Sequence, residues 1–376
     1  MNKSDDRFRW LHTALPIGVA LCGRPLVDSE RFSQSTLFTE RDESVYTCYG
    51  DSSVILDRLS CQRLAFDGAF VLGSNDSPSQ LYFDAAFRSQ NLREQDASVP
   101  TSQPVWSIQD AISAAIAGVA DVCIFTYGGH MTGKSTTLRR VMLLAAQDIR
   151  RKLATSPAAV CLHATEYRFD ENDVELIRTL YTAEQVDADQ LPSVLWHEFH
   201  RGELANGQPA PSTSHFVWSM VFAHGSRIIF ADTCGASRVT PKGLRCQVDL
   251  SIFSLEQAAL HTVEHMQGTA FTRSIACGVG GHAIGIALCC FGQTAFHYFH
   301  ENAQTFQIAR SLMRIVNPIR LAASPSTTAA TSLSEFSQAP QLLNDSALGE
   351  LCSLRRAHSP NVFGRDDSKH SVIFYD

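Results

Sequence analysis

The 376-residue chain is poor in the features that mark secreted, membrane-bound or filamentous proteins. It has no long apolar run: the longest, around Ile284–Phe291, is far short of the roughly 20 residues that span a bilayer. The first residues carry Asp5 and Asp6 and no apolar stretch, which speaks against a signal peptide. Cysteines number eleven, an odd count, and none forms a C-x-x-C pair. Several, such as Cys123, Cys289 and Cys290, lie inside apolar runs, so reduced, buried thiols of a cytosolic protein are expected rather than disulfides or zinc ligands. Charge is scarce as well, at 18%, with 31 basic against 38 acidic residues for a net −7. Without a basic excess the surface cannot displace counterions along a polyphosphate, which excludes a general nucleic-acid binder. Neither a heptad pattern nor a repeat of 20 to 50 residues is visible, so no dimerisation device is built in and a monomer is expected.

What is present is the material of an α/β domain. Hydrophobic residues make up 44% of a chain long enough for a sizeable core. Short apolar runs at Leu15–Cys22, Val122–Phe125, Ala159–Leu162, Phe216–Phe222, Ile228–Ala231 and Ile284–Phe291 read as strands, several of them buried on both faces of a sheet. Between them Ser135–Ile149 reads as an amphipathic helix, with Leu138, Met142, Ala145 and Ile149 at helical spacing. Strands alternating with helices predict a layered fold. After Pro318 the composition shifts. Residues 322–345 are rich in Ala, Ser and Thr, with Pro325 and Pro340, and read as a mobile tail; Leu348–Arg356 is one short helical candidate beyond it.

The sharpest signal is Gly128-Gly129-His130-Met131-Thr132-Gly133-Lys134-Ser135, which fits G-x-x-x-x-G-K-[ST] at each fixed position. A chance match is expected in about one chain in a hundred at average residue usage, and here a strand enters the loop and a helix leaves it. That order suits the chemistry. A glycine-rich turn and a helix N-terminus aim unpaired N–H groups at phosphate oxygens. Lys134 would reach the β- and γ-phosphates and the Ser135 hydroxyl would ligate Mg²⁺. A second element is a hydrophobic strand ending in an acid that holds the metal through water, and Arg227–Asp232 supplies it.

The segment 121–138, with Tyr127 directly before the first glycine, resembles the strand and phosphate loop of the kinesin motor domain, N-V-C-I-F-A-Y-G-Q-T-G-S-G-K-T-x-T-M. Further likenesses follow in order. Gly23-Arg24-Pro25 resembles the end of the R-x-R-P segment beside adenine, and Phe66-Asp67-Gly68-Ala69-Phe70 the F-D-x-V-F ahead of the loop. Ser212-Thr213-Ser214-His215 resembles the switch I S-S-R-S-H, and Asp232-Thr233-Cys234-Gly235 the switch II D-x-x-G. Val248–Leu255 is similar to I-N-x-S-L-x-x-L, Phe271-Thr272-Arg273 with Gly280-Gly281 to the L-T-R…G-G segment, and 301–317 to the closing E-T-L-x-T-L-x-F-A helix. The resemblance implies a central mixed β-sheet with helices on both faces over 15–318, an N-terminal extension at 1–14 and a tail at 319–376. It also implies an ATPase using ATP/ADP and Mg²⁺ in the cytoplasm on the cytoskeleton, with microtubules as partner and neither membrane nor nucleic acid. The cofactor would lie against Arg24, Pro25, the loop Gly128 to Gly133, Lys134, Ser135 and Thr136. Ser212, Ser214, Asp232 and Gly235 would sense the γ-phosphate, with Ser135, Ser214 and, through water, Asp232 at the metal.

Several positions depart from the pattern. The switch I arginine is Thr213 and the switch II glutamate is Ser237, so the ion pair that closes the family's site and orders its attacking water is missing. Met131 takes a glycine position, Thr136 that of an aromatic, and Cys22 that of the first arginine of R-x-R-P. Gln267 and Ala270 stand where basic microtubule contacts are usual, with Lys242 and Arg245 as candidate replacements. For an acidic protein meeting acidic tubulin this weakens the expected affinity. The alternative is therefore a kinesin-shaped binding module with little or no turnover. Two further patterns carry less. Asn2-Lys3-Ser4-Asp5 spells a guanine motif but precedes the loop, and His261-Thr262-Val263-Glu264-His265 spells the inverted zinc-protease motif at the end of a helix. His197 and His200 read as a solvated helix face.

Overall fold

The computed structural model describes residues 8, 11, 13–24, 106–153, 159–170, 173–195, 214–238 and 248–321, apart from isolated side chains, together with the backbone of short strands between 46 and 83. In chain order these give β1 (Ala14–Pro16), β2 (Gly18–Gly23), β3 (Tyr46–Tyr49), β4 (Val54–Asp57), β5 (Gln62–Ala65), β6 (Gly68–Val71), β7 (Tyr82–Phe83) and β8 (Trp106–Ser107). There follow α1 (Ile108–Ile116), β9 (Val122–Gly128), α2 (Lys134–Leu153), β10 (Ala159–Phe169), β11 (Glu175–Asp187), β12 (His215–Phe222) and β13 (Arg227–Asp232). The last are α3 (Leu250–Leu260), α4 (Ala270–Ile275), β14 (Ile284–Phe291), α5 (Ala295–His300), α6 (Asn302–Leu312) and β15 (Val316–Pro318). Pro25, Ser212, Thr213, Lys242, Arg245, His197, His200, the Asn2–Asp5 pattern, the Leu348–Arg356 candidate and the tail from 322 onward lie outside the described residues.

Eight strands form one mixed sheet in the order β11-β10-β12-β13-β9-β14-β2-β6. The half from β13 to β6 is parallel, and β10, β11 and β12 extend it antiparallel from the β13 edge. Alternation along the central strands builds a core on each face. Val122 and Ile124 of β9 pack with Phe230, Leu288 and the apolar stripes of α1 and α2. Cys123, Phe125 and Tyr127 point the other way, into a cluster with Phe253 and Leu255 of α3, Phe271 of α4 and Phe306 of α6. The fold is thus α/β, with helices on both faces of a mixed sheet. Phe125 and Phe230 are fully buried, and truncating either to alanine is the kind of change that costs about 3–5 kcal/mol.

The strands read from apolar runs are all present, and most are longer than the runs themselves. Leu15–Cys22 is split between β1 and β2. The Ser135–Ile149 helix extends to Lys134–Leu153. Within the large sheet, β11 and β6 are the strands that the apolar runs do not reveal. The two ends of the domain meet as a small ribbon, β1 pairing antiparallel with β15. Ile319 continues it: its N–H donates to Thr13 and its side chain is buried, while Phe8 and Leu11 pack on the core from the other end.

The parallel half positions the site. β9 lies between β13 and β14, so the segments leaving all three carboxyl ends converge at one edge of the sheet. Crevices at that edge are where open α/β sheets hold ligands.

Candidate functional site

Gly128 ends β9 at φ 145°, Gly133 precedes α2 at φ 87°, and between them Met131 adopts φ 56°. The two glycines take these conformations readily, and Gly128 is further confined because an added Cβ would lie 2.1 Å from the Cys290 carbonyl oxygen. Met131 is a side-chain-bearing residue in left-handed backbone, and its side chain stands 66% exposed. The methionine at a glycine position is therefore accommodated outward, away from the loop interior.

Lys134 opens α2 and is buried, its ammonium donating to the Gly129 carbonyl at 2.5 Å and the Gly128 carbonyl at 3.1 Å. Thr132 donates to Gly129 O at 3.0 Å and closes the turn. Asp232 ends β13 beside this lysine. Burial pushes its carboxyl up, while the Ser135 hydroxyl, Lys134 and Thr126 pull it back down. Thr126, which stands where the quoted pattern has alanine, stitches the two strand ends: its hydroxyl donates to Asp232 Oδ1 at 3.2 Å and accepts from the Thr233 N–H at 3.0 Å. Sequence reasoning passed over it. Arg24 joins the site from β2, its side chain lying 3.5 Å from where a Cβ on Gly133 would be, and Thr136 is exposed on α2.

The segment after Asp232 lies over the loop. Ala236 N–H donates to the Gly128 carbonyl at 3.0 Å, and Gly235 is backed against His130, whose Cα would be 3.3 Å from an added Cβ. Ser237 accepts from the His130 N–H at 2.8 Å and donates to Glu301 Oε1. The loop, the acid at the end of β13 and the D-x-x-G glycine are thus brought together.

Ser214 does not join them: its hydroxyl donates to Glu166 Oε1 on β10 at 2.8 Å. Its neighbour His215 is fully buried and stacks on Phe271. The Cys234 N–H donates to His215 Nδ1 at 3.2 Å, so the ring's other nitrogen carries the proton and faces Asp249 Oδ1 at 2.8 Å. Asp249 is also the N-cap of α3, accepting from the Ser251 and Ile252 N–H groups. Burial opposes ionisation of Asp249, but His215 and those N–H groups outweigh it and hold the carboxyl below its usual range. His215, Cys234 and Asp249 are the one group of potential metal donors within 4.8 Å of one another among the described residues. Their hydrogen bonds account for the cluster as a hub joining β12, the segment after β13 and α3.

A second hub lies beneath. Glu256 of α3 is buried and accepts from Tyr127 at 2.7 Å, from Gln304 of α6 at 2.8 Å and from Arg238. The inverted zinc-protease spacing does not survive folding, because α3 ends at Leu260 and Val263–Gln267 is a separate 3₁₀ turn, so His261 and His265 share no α-helical face. Gln267 is exposed, whereas Ala270 is buried at the start of α4, where its N–H and that of Phe271 donate to Glu175 at 2.7 and 3.0 Å. None of the seven described cysteines is in a disulfide.

No family model matches this chain, and no curated protein matches it significantly.

Proposed function

We propose that the chain is a divergent kinesin-like motor domain that binds ATP with Mg²⁺ at the 128–135 loop and couples hydrolysis to microtubule contact. The observation that carries this reading is the convergence of Lys134, Ser135 and Asp232 at the carboxyl end of β9, with the Gly235 segment laid over the loop. The donor set fits the group. A buried ammonium, the N-terminus of a 20-residue helix and a buried carboxylate beside a hydroxyl are what a metal-bound triphosphate requires. Ser135 would ligate the metal, Asp232 would hold it through water, and Ser214 would have to leave Glu166 to take part. Bound Mg²⁺ would neutralise phosphate charge during transfer. α6 packed against Phe291 supports the kinesin-like version over an unrelated phosphate-loop protein.

The second reading, a nucleotide-gated or purely structural binding module, is favoured by Thr213 and Ser237 in place of the family's ion pair. Turnover of ATP with and without microtubules, beside Lys134→Ala, separates the two. Stimulated turnover lost in the variant is expected for a motor. Nucleotide binding without turnover would leave the gated module, and no nucleotide binding would leave only a purely structural one.

A further inference from the structure

Glu301 sits at the junction of α5 and α6 and is 5% exposed. Its carboxylate lies directly over the phosphate loop: a Cβ on Gly129 would be 1.9 Å from Oε2. One oxygen accepts from Ser237, the residue that stands in place of the switch II glutamate. The other has no hydrogen-bond partner, with His297 Nε2 3.6 Å away. Ser237 in turn accepts from the His130 N–H in the loop. His297 of α5 also bonds the His130 carbonyl at 2.9 Å, so this residue is held through its N–H by Ser237 and through its carbonyl by α5.

Three features of the sequence thus fit one another. Serine at 237 brings a hydroxyl but no charge to the loop, glycine at 129 vacates the space a side chain would fill, and Glu301 occupies that space with a carboxylate. We propose that Glu301 is the gating carboxylate of this site, a positioning residue that latches the 232–238 segment onto the phosphate loop through Ser237 and so controls release of the bound nucleotide. This rests on the nucleotide reading above. The latch differs from a switch-to-switch ion pair in what it connects: it ties the loop to α6, so opening it displaces a helix instead of switch I. Burial pushes the Glu301 carboxyl up against the pull of Ser237, Lys134 and the His130 N–H, as expected of a charge held in place by few partners.

The test is the rate at which a fluorescent ADP analogue is chased from the full chain. Variants are Glu301→Ala, Ser237→Ala, the two combined, Gly129→Ala, and the exchange Ser237→Glu with Glu301→Ser. Losing a charge-assisted hydrogen bond of this kind is expected to speed release about tenfold. Either alanine at the pair should do so, the double variant should be no faster than the singles, and Gly129→Ala should mimic them by expelling the carboxylate. The exchange should restore release to within about threefold of wild type, which a merely structural role would not produce. Hydrogen exchange of 128–133 and 232–238 without nucleotide should rise in the singles. Should Glu301→Ala not fold, the near-isosteric Glu301→Gln takes its place and must still accelerate release. Unchanged release, or additive effects of the two alanines, would overturn the latch and leave the nucleotide site standing. Failure of wild type to bind the analogue would instead remove the nucleotide reading and the gate with it.

Discussion

The floor of the crevice and its roof are built differently. On the floor, Lys134, Ser135 and Asp232 hold the positions that the phosphate-loop pattern assigns them, and their partners are backbone carbonyls and adjacent strand ends. On the roof, Ser237, Glu301 and His130 meet in an arrangement that the pattern does not contain. The floor is fixed by a strand running into a glycine turn and a helix, with Asp232 brought beside them by the pairing of β13 with β9. The roof is fixed by contacts between distant segments, and such contacts can be rebuilt from a different helix. Binding and turnover should respond to floor and roof separately.

The largest effect should come from the floor. Lys134→Ala removes the one buried ammonium at the loop among the described residues, and nucleotide affinity is expected to fall on the order of 10²–10³-fold. Titration calorimetry with ATP and Mg²⁺ measures this. A loss under tenfold would mean that loop N–H groups alone carry the phosphate, and the contrast with the roof would collapse.

Next comes the support under both. Glu256→Ala strands Tyr127, whose hydroxyl is buried, together with Gln304 and Arg238. Breaking a buried charged network costs about 3–5 kcal/mol, and the lower end applies because Arg238 is 43% exposed. Urea unfolding should show a midpoint shift at constant slope. Tyr127→Phe, which removes one neutral donor, should cost about 1 kcal/mol.

The difference between floor and roof is also a difference in legibility. The loop, β9 and α2 could be read because glycine chemistry, an apolar run and a helical stripe are local properties. β9, β13 and β14 were visible as near-continuous apolar runs because they are buried on both faces. β11 was not, since Leu176, Ile177, Arg178 and Thr179 lie exposed on an edge strand whose place is set by pairing with β10. Glu301 could be read only as part of a helix motif. Its one trace near the loop is Gly129, a glycine at a position where the phosphate pattern accepts any residue. Glu256 looked like an ordinary charge on a helix, yet α3 is buried nearly all round, and no periodicity reveals which three residues satisfy it. Ser214 was assigned by likeness to a motif whose local order it keeps, while Glu166, from another strand, takes its hydroxyl.

A graded effect should separate the roof's charge from its shape. The Glu301 carboxyl is raised above its ordinary 4.5 by burial, so folding favours its protonated form. The stability this contributes is fully present below the ordinary value and is lost as pH rises through the raised one. Glu301→Gln cannot ionise and escapes that loss. The variant should therefore gain on wild type between pH 4 and pH 7, read as the difference between their melting temperatures. A flat difference would show that Ser237, Lys134 and the His130 N–H offset the burial of the carboxylate in full.

The smallest effect is expected at Met131, where the sequence departs most visibly from the loop pattern. Left-handed backbone costs a side-chain-bearing residue about 1 kcal/mol, and glycine would relieve it. Glycine also gives the unfolded chain more freedom, which opposes the gain by about 0.5–1 kcal/mol. Met131→Gly should therefore change stability by less than about 1 kcal/mol, and nucleotide affinity should barely move because the methionine side chain faces solvent. A thermal melt and the same calorimetric titration decide it. If affinity instead rose tenfold, Met131 would be restricting phosphate approach, and the floor would share the divergence now assigned to the roof. If neither quantity moved, divergence from the pattern at an outward-facing position would carry no functional weight, and Ser237 with Glu301 would remain the place where this site differs.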